Sequence, residues 1–166
     1  HSAQRSLEGP WGRMPAFERG RLMMRFAAIV ETRIEDLARI EAMDVGKPLS
    51  QARADAKALA RYFEFYAGAV DKITGETIPY LDGYTVYTLR EPHGVCGHII
   101  PWNYPMQIIG RSVGAAIAMG NSSVLKPAEQ ACLTALAVAA IADEAGFPSG
   151  VINVVPGLGD QAGATL

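Results

Sequence analysis

The apolar positions of this chain change rhythm twice, and the changes divide it. Over residues 17–43, Leu22, Phe26, Ile29, Val30, Leu37 and Ile40 recur at short helical spacings, with arginines and acids between them. That is the signature of one apolar helix face. The spacing predicts a single amphipathic helix, stopped by Gly46-Lys47-Pro48. Ser50 is then placed to cap a second helix over residues 51–70. Its stripe of Leu59, Tyr62, Phe63 and Tyr66 reads as core packing. Ahead of both, Gly9-Pro10-Trp11-Gly12 and Pro15 predict an extended lead-in over residues 1–15.

From residue 76 alternation replaces the helical step. Thr77-Ile78-Pro79-Tyr80-Leu81, then Asp82-Gly83, then a β-branched and aromatic run over 84–89 predict a hairpin with a tight Asp-Gly turn. So short a hairpin is marginal alone and needs a partner, either another domain or another subunit. From Gly94 the rhythm changes again. Residues 95–100, 122–125 and 151–155 are short apolar runs, and helical stretches over 105–119 and 129–145 separate them. Pro105 suits a first helical position, and Gly120 and Gly146 suit helix ends. Gly110, Gly114, Ala115, Ala116 and Ala118 predict a thin helix lying close to a sheet. A further helix is predicted from about Leu158. The fold class that results is α/β: N-terminal helices over 1–75, a β-hairpin over 76–93, and half of a doubly wound, Rossmann-like parallel sheet over 94–166.

Composition sharpens this division. Of the 32 Lys, Arg, Asp and Glu in the 166 residues, only Arg111, Lys126, Glu129, Asp143, Glu144 and Asp160 follow residue 93. The second half therefore reads as a sheet covered on both faces, and the first half as surface helices. A 49% hydrophobic content allows a real core, and a net charge of −2 gives no basis for a nucleic-acid or membrane partner. No apolar run reaches membrane-spanning length. Two cysteines, Cys96 and Cys132, make no disulfide framework and fit a reducing cytoplasm. The start on His1 predicts a missing or processed N-terminus. A half sheet stopping at Leu166 exposes an apolar edge, which predicts a piece of a longer fold.

Candidate chemistry gathers where the predicted strands end, the edge at which open α/β sheets bind ligands. Asn103, in Pro101-Trp102-Asn103-Tyr104-Pro105, is placed either to donate to a developing oxyanion or to cap the next helix. Lys126 is either a ligand for ribose hydroxyls or phosphate, or a solvated strand-end lysine. Glu129 is either an acceptor for two ribose hydroxyls, favouring NAD over NADP, or a first-turn acid that complements the helix dipole. Gly157-Leu158-Gly159-Asp160-Gln161-Ala162 fits the alanine variant of the dinucleotide fingerprint, a weak signal on its own. Cys96 lies in an apolar strand where a thiol is inert, and Cys132 has no base beside it, so both read as packing residues.

Two of these motifs, Pro101-Trp102-Asn103-Tyr104-Pro105 and Lys126-Pro127-Ala128-Glu129, followed by Glu144-Ala145-Gly146-Phe147-Pro148 and Gly157-Leu158-Gly159, resemble the NAD(P)-dependent aldehyde dehydrogenase superfamily from about Trp11 to Leu166. The resemblance implies oxidation of an aldehyde to a carboxylic acid with NAD, NADP being less favoured. It implies a covalent thiohemiacetal on a cysteine downstream of Leu166 and a downstream glutamate that activates water. It makes Asn103 the catalytic oxyanion donor. It assigns Ile99, Ile100, Pro101, Trp102, Lys126, Pro127, Ala128, Glu129, Gly157, Gly159 and Gly163 to the cofactor, with the glycine turn on its adenine side. It implies a homodimer or homotetramer with contacts through the hairpin. Met106 and residues 109–113 are expected along part of the substrate tunnel. Two other readings stay open: a coenzyme A-acylating enzyme on the same scaffold, and a non-catalytic nucleotide-binding or interaction module.

Overall fold

A computed structural model describes residues 1–166. The chain forms α1 (Ser2–Glu8), a 3-10 turn (Trp11–Arg13), α2 (Ala16–Thr32), α3 (Ile34–Val45), α4 (Leu49–Ala69), β1 (Thr77–Ile78), β2 (Val86–Tyr87), β3 (Val95–Ile99), α5 (Pro105–Ala118), β4 (Ser122–Lys126), α6 (Leu133–Ala145), β5 (Ile152–Val154) and a π-helical turn (Gly159–Gly163). No helix is long and apolar enough to cross a membrane.

Strands β3, β4 and β5 form a parallel sheet in that order, the expected β-α-β-α-β unit. Helices α5 and α6 each end in a Schellman motif. The N–H of Gly120 donates to the Ile117 carbonyl and that of Asn121 to Ala116. The N–H of Gly146 donates to Asp143 and that of Phe147 to Ala142. Both glycines sit at positive φ, 83° and 92°, where a Cβ would be strained. One apolar cluster runs through the molecule. Met23, Phe26, Leu59 and Phe63 from α2 and α4 meet Met106, Ile109 and Ile117 of α5 and Val138 and Ile141 of α6.

Several expectations change. The lead-in is not extended: Ser2–Glu8 is helical, and α1 packs on the sheet, with Ser122 Oγ donating to the Ala3 carbonyl at 3.0 Å. The glycines and proline that suggested a loop lie only from residue 9 onward, beyond that helix. The predicted helix over 17–43 is two helices broken at Arg33, because the apolar spacing runs across the break. Helix α4 starts at Leu49, and Ser50 makes no cap. Gly110 and Gly114 face α4 rather than the sheet. A Cβ at Gly110 would lie 2.7 Å from Tyr62 Cδ2, and one at Gly114 would lie 3.2 Å from Tyr66 Cδ2.

The hairpin pairs only Thr77 with Tyr87 and Ile78 with Val86. Asp82-Gly83 does form the centre of a turn, closed by Tyr84 N–H on the Leu81 carbonyl. Only Gly83 has positive φ, so the turn is of type II character rather than the I′ form that would close a two-residue hairpin. Nor is the sheet covered on both faces. β4 is largely buried, whereas Val95, Gly97 and Ile99 of β3 are exposed. Finally, α6 begins at Leu133, not Glu129.

Candidate functional site

Register alone brings the candidate segments together. Ile99 pairs with Lys126 across the parallel ladder, and the Ile100 N–H donates to the Lys126 carbonyl at 3.1 Å. Val155 N–H donates to the Leu125 carbonyl at 2.9 Å. The chain therefore leaves all three strands at one edge, carrying Pro101–Asn103, Pro127–Glu129 and Pro156–Gly159 outward side by side. This is the edge at which a parallel α/β sheet takes its ligand.

Asn103 is exposed and makes no hydrogen bond within the chain. The cap alternative fails for it: the N-cap of α5 is Tyr104, with no side-chain cap. Ile99 and Trp102 are exposed beside it, at 65% and 54%. Ile100, Pro127 and Ala128 are buried.

Lys126 is not solvated. It is 3% exposed, and its Nζ donates to Glu129 Oε2 at 2.9 Å. That hydrogen bond, followed by one from the backbone, holds the Glu129 carboxyl below the ordinary carboxylate range. The dipole alternative for Glu129 also fails, since the residue precedes the first turn of α6. The N-terminus of α6 is served instead by Asp44 of α3, which accepts the Leu133 N–H at 2.9 Å. What remains at Glu129 is an ionised, exposed carboxylate steered by a buried lysine on Oε2, with Gln130 Nε2 donating to Oε1 at 3.3 Å and lone pairs left to accept hydroxyl hydrogens. Gly157 and Gly163 are half-buried, and Gly159 is exposed with nothing near the place its Cβ would take.

The two thiols behave as packing groups. Burial pushes the Cys96 thiol upward, away from reactivity. Cys132 is the N-cap residue of α6, without a side-chain cap bond. Of the residues expected along a substrate tunnel, Met106, Ile109, Gly110 and Val113 are buried in the core, which corrects the expectation for them, while Ser112 is half-buried and Arg111 exposed.

One cluster was not legible as a site. Lys47 Nζ donates to Glu41 Oε1 and to Asp55 Oδ2, both at 2.6 Å, with all three side chains buried. The Lys47 ammonium also lies 4.5 Å from the centre of the Tyr104 ring. Burial pushes the Glu41 carboxyl above its ordinary value, and Lys47 only partly offsets this. Burial works against the Lys47 charge as well, but its bonds to Asp55 and Glu41 prevail and raise its pKa. In the sequence Lys47 marked only a helix stop, and charged helix residues read as solvent-facing.

The edge that carries the unpaired amide of Asn103 and the Lys126–Glu129 pair is the place at which an open α/β sheet takes a ligand. The aldehyde dehydrogenase family model matches residues 1–166, and the chain belongs to that family. It is 51% identical over 160 residues to the mitochondrial benzaldehyde dehydrogenase of Antirrhinum majus, covering 96% of this chain and 30% of that protein. A crystal structure from Burkholderia cenocepacia, of a protein provisionally named an aldehyde dehydrogenase, superposes with a TM-score of 0.98 at 66% identity over 99% of this chain and 35% of that one. The NAD+ complex of a Bacillus cereus aldehyde dehydrogenase gives a TM-score of 0.95 at 46% identity over 98% and 33%. The chain thus spans about a third of the length of the relatives it matches.

Proposed function

We propose that the complete polypeptide carrying these residues oxidises an aldehyde to a carboxylic acid with NAD, and that this chain supplies the cofactor wall and the oxyanion donor. The observation that carries the reading is the register of β3 on β4, which sets the exposed amide of Asn103 at the same sheet edge as the Lys126–Glu129 pair. NAD, when bound, accepts a hydride. The residues present fit it: the Glu129 carboxylate suits paired ribose hydroxyls and would repel a 2′-phosphate. Lys126 fixes the direction of that carboxylate. Ile99, Ile100, Pro101, Trp102, Pro127, Ala128, Gly157, Gly159 and Gly163 complete the wall.

Asn103 donates its side-chain N–H to the oxygen that becomes negative when a thiolate from elsewhere in the polypeptide adds to the aldehyde. Splitting the reaction into covalent capture and later hydrolysis replaces one hard step with easier ones. An oxyanion donor of this kind is worth roughly 10²–10³ in kcat. The three segments 1–75, 76–93 and 94–166 are read as helical support, subunit contact and cofactor wall. The hairpin presents Ile78, Tyr80, Leu81, Tyr84, Tyr87 and Leu89 to solvent, which supports a homodimer or homotetramer joined there. Free Cys96 and Cys132 support a reducing compartment such as the cytoplasm.

The test is NADH formation over an aldehyde panel by the complete polypeptide and its N103A variant. N103A is expected to lose roughly 100-fold in kcat with an unchanged Kd for NAD. Equal turnover by the two proteins would remove Asn103 from the mechanism, and no turnover by either would remove the activity.

A further inference from the structure

The amide of Asn103 projects from a turn, and nothing it touches within the chain holds it. Its neighbours, by contrast, are gripped by one buried cluster. Lys47 sits over the Tyr104 ring. Gln51 Nε2 donates to the Tyr104 hydroxyl at 2.7 Å. Glu41 accepts Lys47 on Oε1 and the Met106 N–H on Oε2, the latter at 3.1 Å. Asp55 accepts Lys47 on Oδ2 and Gln107 Nε2 on Oδ1, at 2.6 Å each. Both carboxylates thus divide their oxygens between Lys47 and the first turn of α5.

A cluster of this kind is weak evidence for stability, because well-packed apolar residues of similar volume often serve as well. What it supplies is direction. The ammonium fixes two carboxylates, and these fix the Met106 N–H and the Gln107 side-chain amide, three and four residues after Asn103. The aromatic face supplies a third contact, of cation–π type.

We propose that Lys47 is a positioning residue for Asn103, holding the Asn103-Tyr104 turn at the start of α5 through Glu41, Asp55 and the Tyr104 ring. The proposal rests on the reading of Asn103 as oxyanion donor. Lys47 touches no reacting atom. It acts by keeping the amide from wandering, and a displacement of about an ångström can cost on the order of 100-fold in rate.

The experiment is a double-variant cycle in the complete natural polypeptide. K47M is expected to lower kcat roughly 10- to 100-fold with KM for NAD unchanged, and K47R to recover part of the loss. In K47M/N103A the loss is expected to equal that of N103A alone, since the clamp then has nothing to position. Losses that multiply, or a wild-type kcat in K47M, overturn the proposal. Where K47M folds too poorly to assay, Q107L takes its place, because it removes only the hydrogen bond by which Asp55, held by Lys47, grips the first turn of α5, and the same non-additivity is required of it. Hydrogen exchange over residues 101–107 gives a readout independent of turnover. Faster exchange confined to that segment is expected in the variant, and unchanged exchange overturns the proposal. If N103A turns over like wild type, the oxyanion reading fails, while exchange still decides whether Lys47 holds the turn.

Discussion

Gly159 shows how far a single residue can be read. A glycine in a fingerprint is ordinarily explained by a tight turn or by close approach of backbone to ligand. In this chain the first explanation is absent at Gly159, because its φ is not positive and an added Cβ meets nothing within 4 Å. Close approach of a ligand would account for the absent side chain. G159A is therefore expected to leave the melting temperature of the complete polypeptide unchanged and to weaken NAD binding several-fold. Calorimetric titration beside a thermal scan checks both. Undiminished NAD affinity would end the close-approach reading of this glycine. Gly157 is different: a Cβ there would meet the Ala162 Cβ at 2.8 Å, so its substitution would confuse folding with binding.

Titration at Glu41 belongs to the same scale. Its folded pKa is raised above the ordinary 4.5, chiefly by burial. The folded state therefore binds this proton more tightly than the unfolded chain does. The stability this contributes is fully present below pH 4.5 and is lost as pH rises through the raised value. E41Q has no such titration. The difference in melting temperature between wild type and E41Q is expected to shift against wild type as pH climbs from 4.5, and a difference independent of pH would refute it.

Between elements, α4 packs closely on α5. Gly110 packs on Tyr62 so closely that a Cβ would sit 2.7 Å from Cδ2 and 3.0 Å from Cβ of that ring. G110A is expected to destabilise, because overpacking of about 1–3 kcal/mol exceeds the gain of about 1 kcal/mol from replacing glycine within a helix. Gly68 on α4 is the control: nothing lies near its Cβ position, and G68A is expected to be neutral or stabilising by up to about 1 kcal/mol. Chemical denaturation of both variants checks the contrast. Equal effects would mean that the seam relaxes freely.

The same seam shows what the sequence could and could not reveal. The strands and the ends of α5 and α6 were legible because Pro105, Gly120 and Gly146 punctuate them locally. The sheet edge that carries the candidate residues was legible because strand ends and polar residues coincide there. The break at Arg33 was not, since an apolar stripe continues across a change of axis without altering its spacing. Nor were the caps of α5 and α6. Their acids, Glu41 and Asp44, come from one turn of α3 and reach Met106 and Leu133 across 65 and 89 residues. Periodicity reports local burial and is silent on such partners. That silence also hid the Lys47 cluster, whose charged members look solvent-facing in isolation.

For the molecule as a whole, two apolar regions lie open at once. One is the hairpin, where Ile78 and Tyr87 of the paired residues and Tyr80, Leu81, Tyr84 and Leu89 around them are exposed. The other is the sheet, where β3 and β5 have unpaired edges, Ile99 is exposed at the end of β3, and Trp102, Val155 and Leu158 stand exposed beyond the strand ends. Unpaired strand edges offer free N–H and C=O groups to any neighbouring chain. Contiguous apolar patches of more than a few hundred Å2 are rare on monomers. The charge of −2 gives little repulsion to oppose association. Residues 1–166 produced as an isolated polypeptide are therefore expected to sediment as species heavier than 17.7 kDa, with the heavier fraction growing with concentration. Y87K would place a charge on β2 and is expected to reduce the fraction without abolishing it, because the sheet edges remain. A monodisperse 17.7 kDa species at high concentration would show that neither region seeks a partner. Complete dispersal by Y87K would assign association to the hairpin alone.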